Sequence, residues 1–181
     1  MLPANPDSQR RHVILAGIEV GILGGLLMLA WLALVSLLYG RTVWHPPNLL
    51  ATTFYGDLAL RRGFRWATLA GMSLHLVVCA GLAVSFSFAV RRLAGRFRVW
   101  LLGLLSGLAW YAFGFSYFWQ QVNPLVLQYH PPSAMLFAHV LFGSFLGTLP
   151  GYRKAIAHAE TLVQDIEGPA EESPPLPGTN H

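Results

Sequence analysis

An all-α membrane fold with four transmembrane helices is what this sequence predicts, and three observations lead to it. Four long apolar runs recur along 181 residues. Only 11% of the residues are charged, where a soluble domain carries about 25%. The arginines gather at the ends of the runs, and the mean hydropathy is +0.49. One domain fits this length. Cys79 is the sole cysteine, which excludes an intramolecular disulfide and any cysteine-based metal cluster.

Residues 1–12 read as a cytoplasmic N-terminal segment. The first run, Val13 to Tyr39, carries one acid, Glu19. It is too long for a signal h-region and lacks a small-residue cleavage site, so it is expected to remain as helix 13–39. A loop follows. Within it, Asn48 to Leu60 predicts a short interfacial helix with Leu49, Leu50, Phe54 and Leu58 towards lipid or protein. A re-entrant segment is the alternative, and it needs protein cover for its backbone. The second run predicts helix 67–90 and the third helix 99–119, which ends in the aromatic cluster WYAFGFSYFWQ. The fourth, 133–149, has about 17 residues, near the minimum for a span. Residues 152–167 predict a cytoplasmic amphipathic helix with Ile156, Ala159, Val163 and Ile166 on one face. The acidic, proline-rich stretch 168–181 is expected to be disordered.

Charge sets the orientation. Arg10, Arg11, Arg91, Arg92, Arg96, Arg98, Arg153 and Lys154 fall on one side, and Arg41, Arg61, Arg62 and Arg65 on the other. Eight bases against four favour both termini in the cytoplasm.

Two motifs repeat on the outer side, WHPPN at Trp44–Asn48 and YHPPS at Tyr129–Ser133. Each reads as an aromatic anchor, a rigid corner and a helix cap at Asn48 or Ser133. The sharper alternative pairs His45 with His130 as a metal site. Two histidines are too few for zinc, and Asp57 is the only carboxylate expected on that side.

Glycines mark packing stripes. Gly17, Gly21 and Gly25 on helix 1, and Gly143, Gly147 and Gly151 on helix 4, recur every four residues and let backbones approach. These two helices are expected to pack on each other or on another subunit. Polar residues fall in two layers. Glu19 lies roughly 10 Å from the cytoplasmic end of helix 1, at depths that Ser85, Ser87, Ser106 and Ser144 share. It is expected to be protonated on a serine or paired with a loop arginine, or else to handle protons. His75 lies about 13 Å and His139 about 9 Å down their helices, with Tyr111 at the same level. Two histidines at matched depth are what a bis-histidine b-type haem needs. The plainer expectation is a hydrogen bond from each ring to a neighbouring hydroxyl or carbonyl, with Ser73 and Tyr111 available. No cofactor is predicted on that basis.

GRTVWHPPNLLA, residues 40–51, resembles the first outer loop of an uncharacterised family of bacterial inner-membrane proteins, which reads much like G-R-x-x-W-x-P-x-N-L-L-A. In that family a histidine-bearing second helix follows, here with His75. The resemblance extends from helix 1 to about Gly151 and implies a bacterial multi-helix membrane protein without assigning it chemistry. The function expected is therefore a non-catalytic membrane subunit or scaffold that works through glycine-lined faces, in a homo- or hetero-oligomer and without nucleic acid. The alternative is a subunit that handles haem, protons or ions through His75, His139 and Glu19.

Overall fold

The computed structural model describes residues 6–61, 63–93 and 95–167. Arg62 and the stretch 168–181, expected to be disordered, lie outside the described residues, as do residues 1–5. Every regular element described is helical. In chain order these are α1 (Pro6–Leu38), α2 (His45–Tyr55), a 3-10 turn (Gly56–Leu60), α3 (Trp66–Ala89) and α4 (Arg96–Phe113). A π-helical turn (Gly114–Phe118), α5 (Trp119–Val122), α6 (Leu125–Tyr129), α7 (Pro132–Leu146) and α8 (Leu149–Glu167) complete the order.

Three helical stretches, Asp7–Leu38, Trp66–Ala89 and Arg96–Val122, are long and apolar enough to cross a membrane. The fourth expected span does not run straight from 133 to 149. The 15 residues of α7 reach only about 22 Å, short of a hydrocarbon core of about 30 Å. α7 stops at Leu146, and α8 leaves at 41°. Pro150 explains the break, because it has no N–H to offer the carbonyl of Leu146. Thr148 caps the corner by donating Oγ1–H to the Phe145 carbonyl at 2.7 Å. α7 and α8 form a bent pair that is long and apolar enough to cross a membrane only when the two are taken together.

Close backbone contact organises the layers. A Cβ at Gly17 would meet the Cα of Val84, one at Gly21 the Cα of Ala80, and one at Gly25 the side chains of Cys79 and Leu76. The stripe on α1 is thus filled by α3, running antiparallel. A second contact joins α4 to α7. A Cβ at Gly103 would lie 2.5 Å from the Gly143 carbonyl oxygen, one at Gly107 would run into the His139 carbonyl, and one at Gly147 would lie 2.6 Å from Trp100. Neither stripe uses the partner expected for it. Each closes on a third helix of the same chain, and Gly151 has no neighbour within 4 Å of an added Cβ.

α1 and α7 also meet, through Gly24 against Phe142 and Phe145 and a bond from Trp31 Nε1 to the Ala134 carbonyl at 3.0 Å. The helices stand in the order α3, α1, α7, α4, and α3 and α4 share no extended contact. The gap between these outer helices is roofed by α2, α5 and α6.

The terminal end is tied by polar bonds. Arg153 donates Nη2–H to the carbonyl of Ser87 at 2.5 Å and to its Oγ at 2.9 Å. Ser87 in turn donates to the Val13 carbonyl at 2.9 Å. Glu160 bonds His12 and pairs with Arg11 at 3.5 Å. The first half of α8 therefore packs on the bundle through Tyr152 and Ile156. Leu162, Val163 and Ile166 remain exposed.

The glycine contacts yield a direct test. Gly21→Ala and Gly147→Ala each put a methyl group within 2.5–2.6 Å of a heavy atom of the facing helix. Each should cost about 1–3 kcal/mol of stability and lower the melting midpoint in detergent. Gly151→Ala, which meets nothing, should melt like the parent. Equal melting of all three would show that these stripes are not contacts.

Candidate functional site

The two HPP motifs start helices, but not by the expected caps. In WHPPN the cap position is Trp44, and both prolines fall in the first turn of α2, where a missing N–H costs nothing. In YHPPS the cap position is Pro131, and α7 begins at Pro132. Asn48 and Ser133 lie inside their helices. Asn48 is buried and has a different task. It donates to the carbonyls of Arg61 and Gly63 at 3.3 and 3.2 Å, and it accepts from Thr68 Oγ1 at 2.5 Å. That pins the returning chain and the start of α3 onto α2. Gly71 on α3 permits the approach, because a Cβ there would strike the Pro47 carbonyl. The helix in loop 1 thus starts three residues earlier than expected and packs on α3. Leu49 is 1% exposed, whereas Phe54 and Leu58 face outward at 60% and 66%.

The fold brings the two motifs together. The rings of His45 and His130 lie 6.3 Å apart, and His45 and Tyr129 meet edge to face at 5.6 Å. Arg41 binds the Tyr129 carbonyl, lies over the Tyr129 ring at 5.3 Å and reaches His45 Nε2 at 3.3 Å. Trp44 packs edge-on against Phe64 at 5.0 Å. A guanidinium already occupies the space beside the imidazoles, which opposes a metal cation there. No group of three or more potential metal ligands occurs among the described residues. Burial, and then Arg41, hold His45 below the usual imidazole range. His130 is pushed down to about 4, by burial first and then by His45 and Arg41, against a raising backbone bond at Tyr129.

Asn123, which the sequence reading passed over, supplies the second tie. It is 5% exposed. Its Nδ2 is shared among Thr52 Oγ1 at 2.7 Å, Thr53 Oγ1 at 3.0 Å and the Leu49 carbonyl at 3.4 Å. α2 and the segment after α5 are therefore locked together as one roof.

Beneath the roof, in the gap between α3 and α4, is a partly enclosed cavity of about 390 Å³. Met28, Met135 and Phe142 line it from α1 and α7, and Trp110, Phe118 and Trp119 form an aromatic wall. The π-helical turn explains that wall. One wide turn after Phe113 rotates the chain so that both Phe118 and Trp119 line the space, and such turns recur at functional sites. Three imidazoles join the apolar lining: His130 at the roof, and His75 and His139.

His75 and His139 do share a level. His75 Nε2 meets the Gly25 carbonyl at 3.0 Å, and the register of α7 on α1 sets His139 opposite the same turn. His139 Nδ1 meets the Met135 carbonyl at 2.7 Å. The partners are backbone carbonyls, one of the two kinds expected, and neither is the hydroxyl of Ser73 or Tyr111. Tyr111 donates to the Pro132 carbonyl at 3.3 Å and touches the His139 ring edge to face at 5.6 Å. Cys79 Sγ lies 3.6 Å from His75 Nε2.

The other layer does not assemble. Glu19 is exposed on α1, and among the described residues it has neither hydrogen bond nor ion pair. Ser106 and Ser144 are half-buried on α4 and α7 and meet no acid. Ser87, expected near Glu19, is taken by Val13 and Arg153.

No protein-family model, no curated protein and no solved structure matches this chain. The site is therefore read from its own chemistry.

His130 provides a test. Unfolded, it titrates near about 6.5, and folded near about 4. Between those values the unfolded state takes up a proton that the folded state refuses. The stability contribution is full above about pH 6.5 and is lost as the pH falls towards 4. Thermal melts in detergent should show a lower midpoint at pH 5 than at pH 7.5, and His130→Gln should shrink that difference. A parent protein equally stable at both values would contradict the burial of a neutral imidazole.

Proposed function

We propose that this chain is a non-catalytic, four-span subunit of the bacterial inner membrane that holds a lipophilic ligand in the cavity between α3 and α4. The cavity carries the reading. Its volume of about 390 Å³ falls within the roughly 300–1,000 Å³ of small-molecule sites. Its lining pairs tryptophan, phenylalanine and methionine with a few polar groups, the usual composition of such sites. The fourth span in this reading is the bent pair α7 and α8. Both termini lie in the cytoplasm, as the eight-to-four distribution of bases supports, and the roof of α2, α5 and α6 lies outside. The GRTVWHPPNLLA resemblance supports the bacterial setting. The glycine-lined faces are filled within the chain, so association with other subunits would use the exposed leucines of α1 and α4 instead.

A b-type haem held by His75 and His139 is the second reading, and one observation favours it. His139 donates Nδ1–H to a carbonyl and leaves Nε2 for a metal, the usual posture of a ligating histidine. His75 is turned the other way, with Nε2 committed to Gly25. A proton path through Glu19 has no continuation among the described residues.

Two measurements test the proposal. A saturable quenching of tryptophan fluorescence by a brominated lipophile is expected, and Leu74→Phe combined with Val78→Phe, which fills the cavity, should abolish its saturable part. The purified protein should lack a Soret band. Such a band, absent in both His75→Phe and His139→Phe, would replace this reading with the haem one. For orientation, a Leu58→Cys variant lacking Cys79 should react with an impermeant maleimide from outside the cell, and a reporter after Glu167 should be cytoplasmic. The reverse pattern would invert the topology.

A further inference from the structure

Two of the three imidazoles in the cavity are half-used. A neutral imidazole has one donor and one acceptor nitrogen. A carbonyl can only accept, so His75 must donate through Nε2 to Gly25, and His139 through Nδ1 to Met135. That fixes both tautomers. It leaves His75 Nδ1 and His139 Nε2 as acceptors, and neither has a protein partner among the described residues. Neither nitrogen is sealed in the protein, since Arg153 Nε is the one buried side-chain nitrogen or oxygen found without a partner there. Both rings line the one cavity and sit at one level of α1. The cavity thus presents two imidazole acceptors that no protein donor meets among the described residues. In an apolar surround an acceptor left unmet is costly.

The occupant must then bring donors of its own. The aromatic wall narrows the choice further. Trp110, Phe118 and Trp119 offer flat π-faces, which favour an aromatic ring over an aliphatic chain at this depth. The gap between α3 and α4 leaves room for an apolar tail beside Leu74 and Val78. We infer that the cavity binds a hydroquinone with an apolar tail, its ring against the tryptophan wall and its two hydroxyls donating to His75 Nδ1 and His139 Nε2. This rests on the cavity being a ligand site. The oxidised quinone, which has carbonyl oxygens and no donors, would leave both imidazole acceptors unmet. The site therefore selects the reduced form by hydrogen-bond polarity and requires no electron transfer.

The test uses the full-length protein in detergent and tryptophan fluorescence, with four probes that share one short prenyl tail where they carry one: the hydroquinone, its dimethyl ether, its quinone, and the prenyl alcohol. The hydroquinone should bind most tightly. The ether and the quinone should be about tenfold weaker or more, the scale of two lost hydrogen bonds. The alcohol, with one hydroxyl and no ring, should also be weaker. His75→Phe and His139→Phe should each bring the hydroquinone close to the affinity of the ether while leaving ether binding in place, which shows that the cavity persists. Equal binding of hydroquinone and ether by the parent protein would overturn the inference and leave the cavity reading standing. So would tighter binding of the quinone, and so would tightest binding of the alcohol, which would point to a lipid hydroxyl instead. Binding of none of the four would sink both. The comparison on the parent protein decides the matter even if a variant fails to fold.

Discussion

Glycine-mediated contact between helix backbones is the constraint on which the rest of this structure depends. In lipid the apolar side chains gain nothing by leaving solvent for each other, so helices associate by close packing. Here that packing is spent on two pairs. α1 closes on α3 along Gly17, Gly21 and Gly25, and α4 closes on α7 along Gly103, Gly107, Gly143 and Gly147. Larger side chains, Trp31 and Phe142 among them, join the pairs through α1 and α7. Nothing comparable draws α3 to α4, and the space left there is the cavity.

The roof follows from the same arrangement. A row with an open side exposes backbone at its end, and lipid tolerates no unsatisfied backbone group. α2 meets that requirement as a helix in its own right, and two side chains fix it. Asn48 ties it to the start of α3, and Asn123 ties it to the segment after α5. Arg41 adds a third link, between the two HPP motifs. The motifs are therefore two halves of one corner: each begins a helix, and together they place His130 at the top of the cavity.

Much of this was legible in the sequence. The apolar runs located α1, α3 and α4, because twenty apolar residues in a row have few other uses, although α1 extends seven residues further towards the N-terminus than its run, to Pro6. The matched depth of His75 and His139 was readable from helix rise alone. Other features were hidden for physical reasons. An asparagine before a helix looks like a cap whether or not it is one, and only the fold reveals that Asn48 faces Thr68 and the turn at Gly63. Gly103 and Gly107 carried the same four-residue signal as the stripes on α1 and α7, and it went unused. Asn123, next to a proline, looked like an ordinary loop residue. Glu19 looked functional because it is an acid in an apolar run, yet it stands on an exposed face, apart from every serine at its level. The carbonyl partners of the histidines could not be read, since backbone oxygens are everywhere along the chain and only packing selects one.

The central claim is that α3 and α4 are held apart across a shared cavity, and paired cysteines test it most directly. Val78 and Trp110 line the cavity from opposite sides. In a background lacking Cys79, cysteines at both positions should not form a disulfide under a mild oxidant, because that bond requires Cα atoms within about 7 Å. A flexible bis-maleimide should nonetheless join them, since both face one space. Rapid disulfide formation between positions 78 and 110 would show that the two helices touch, and would contradict the account.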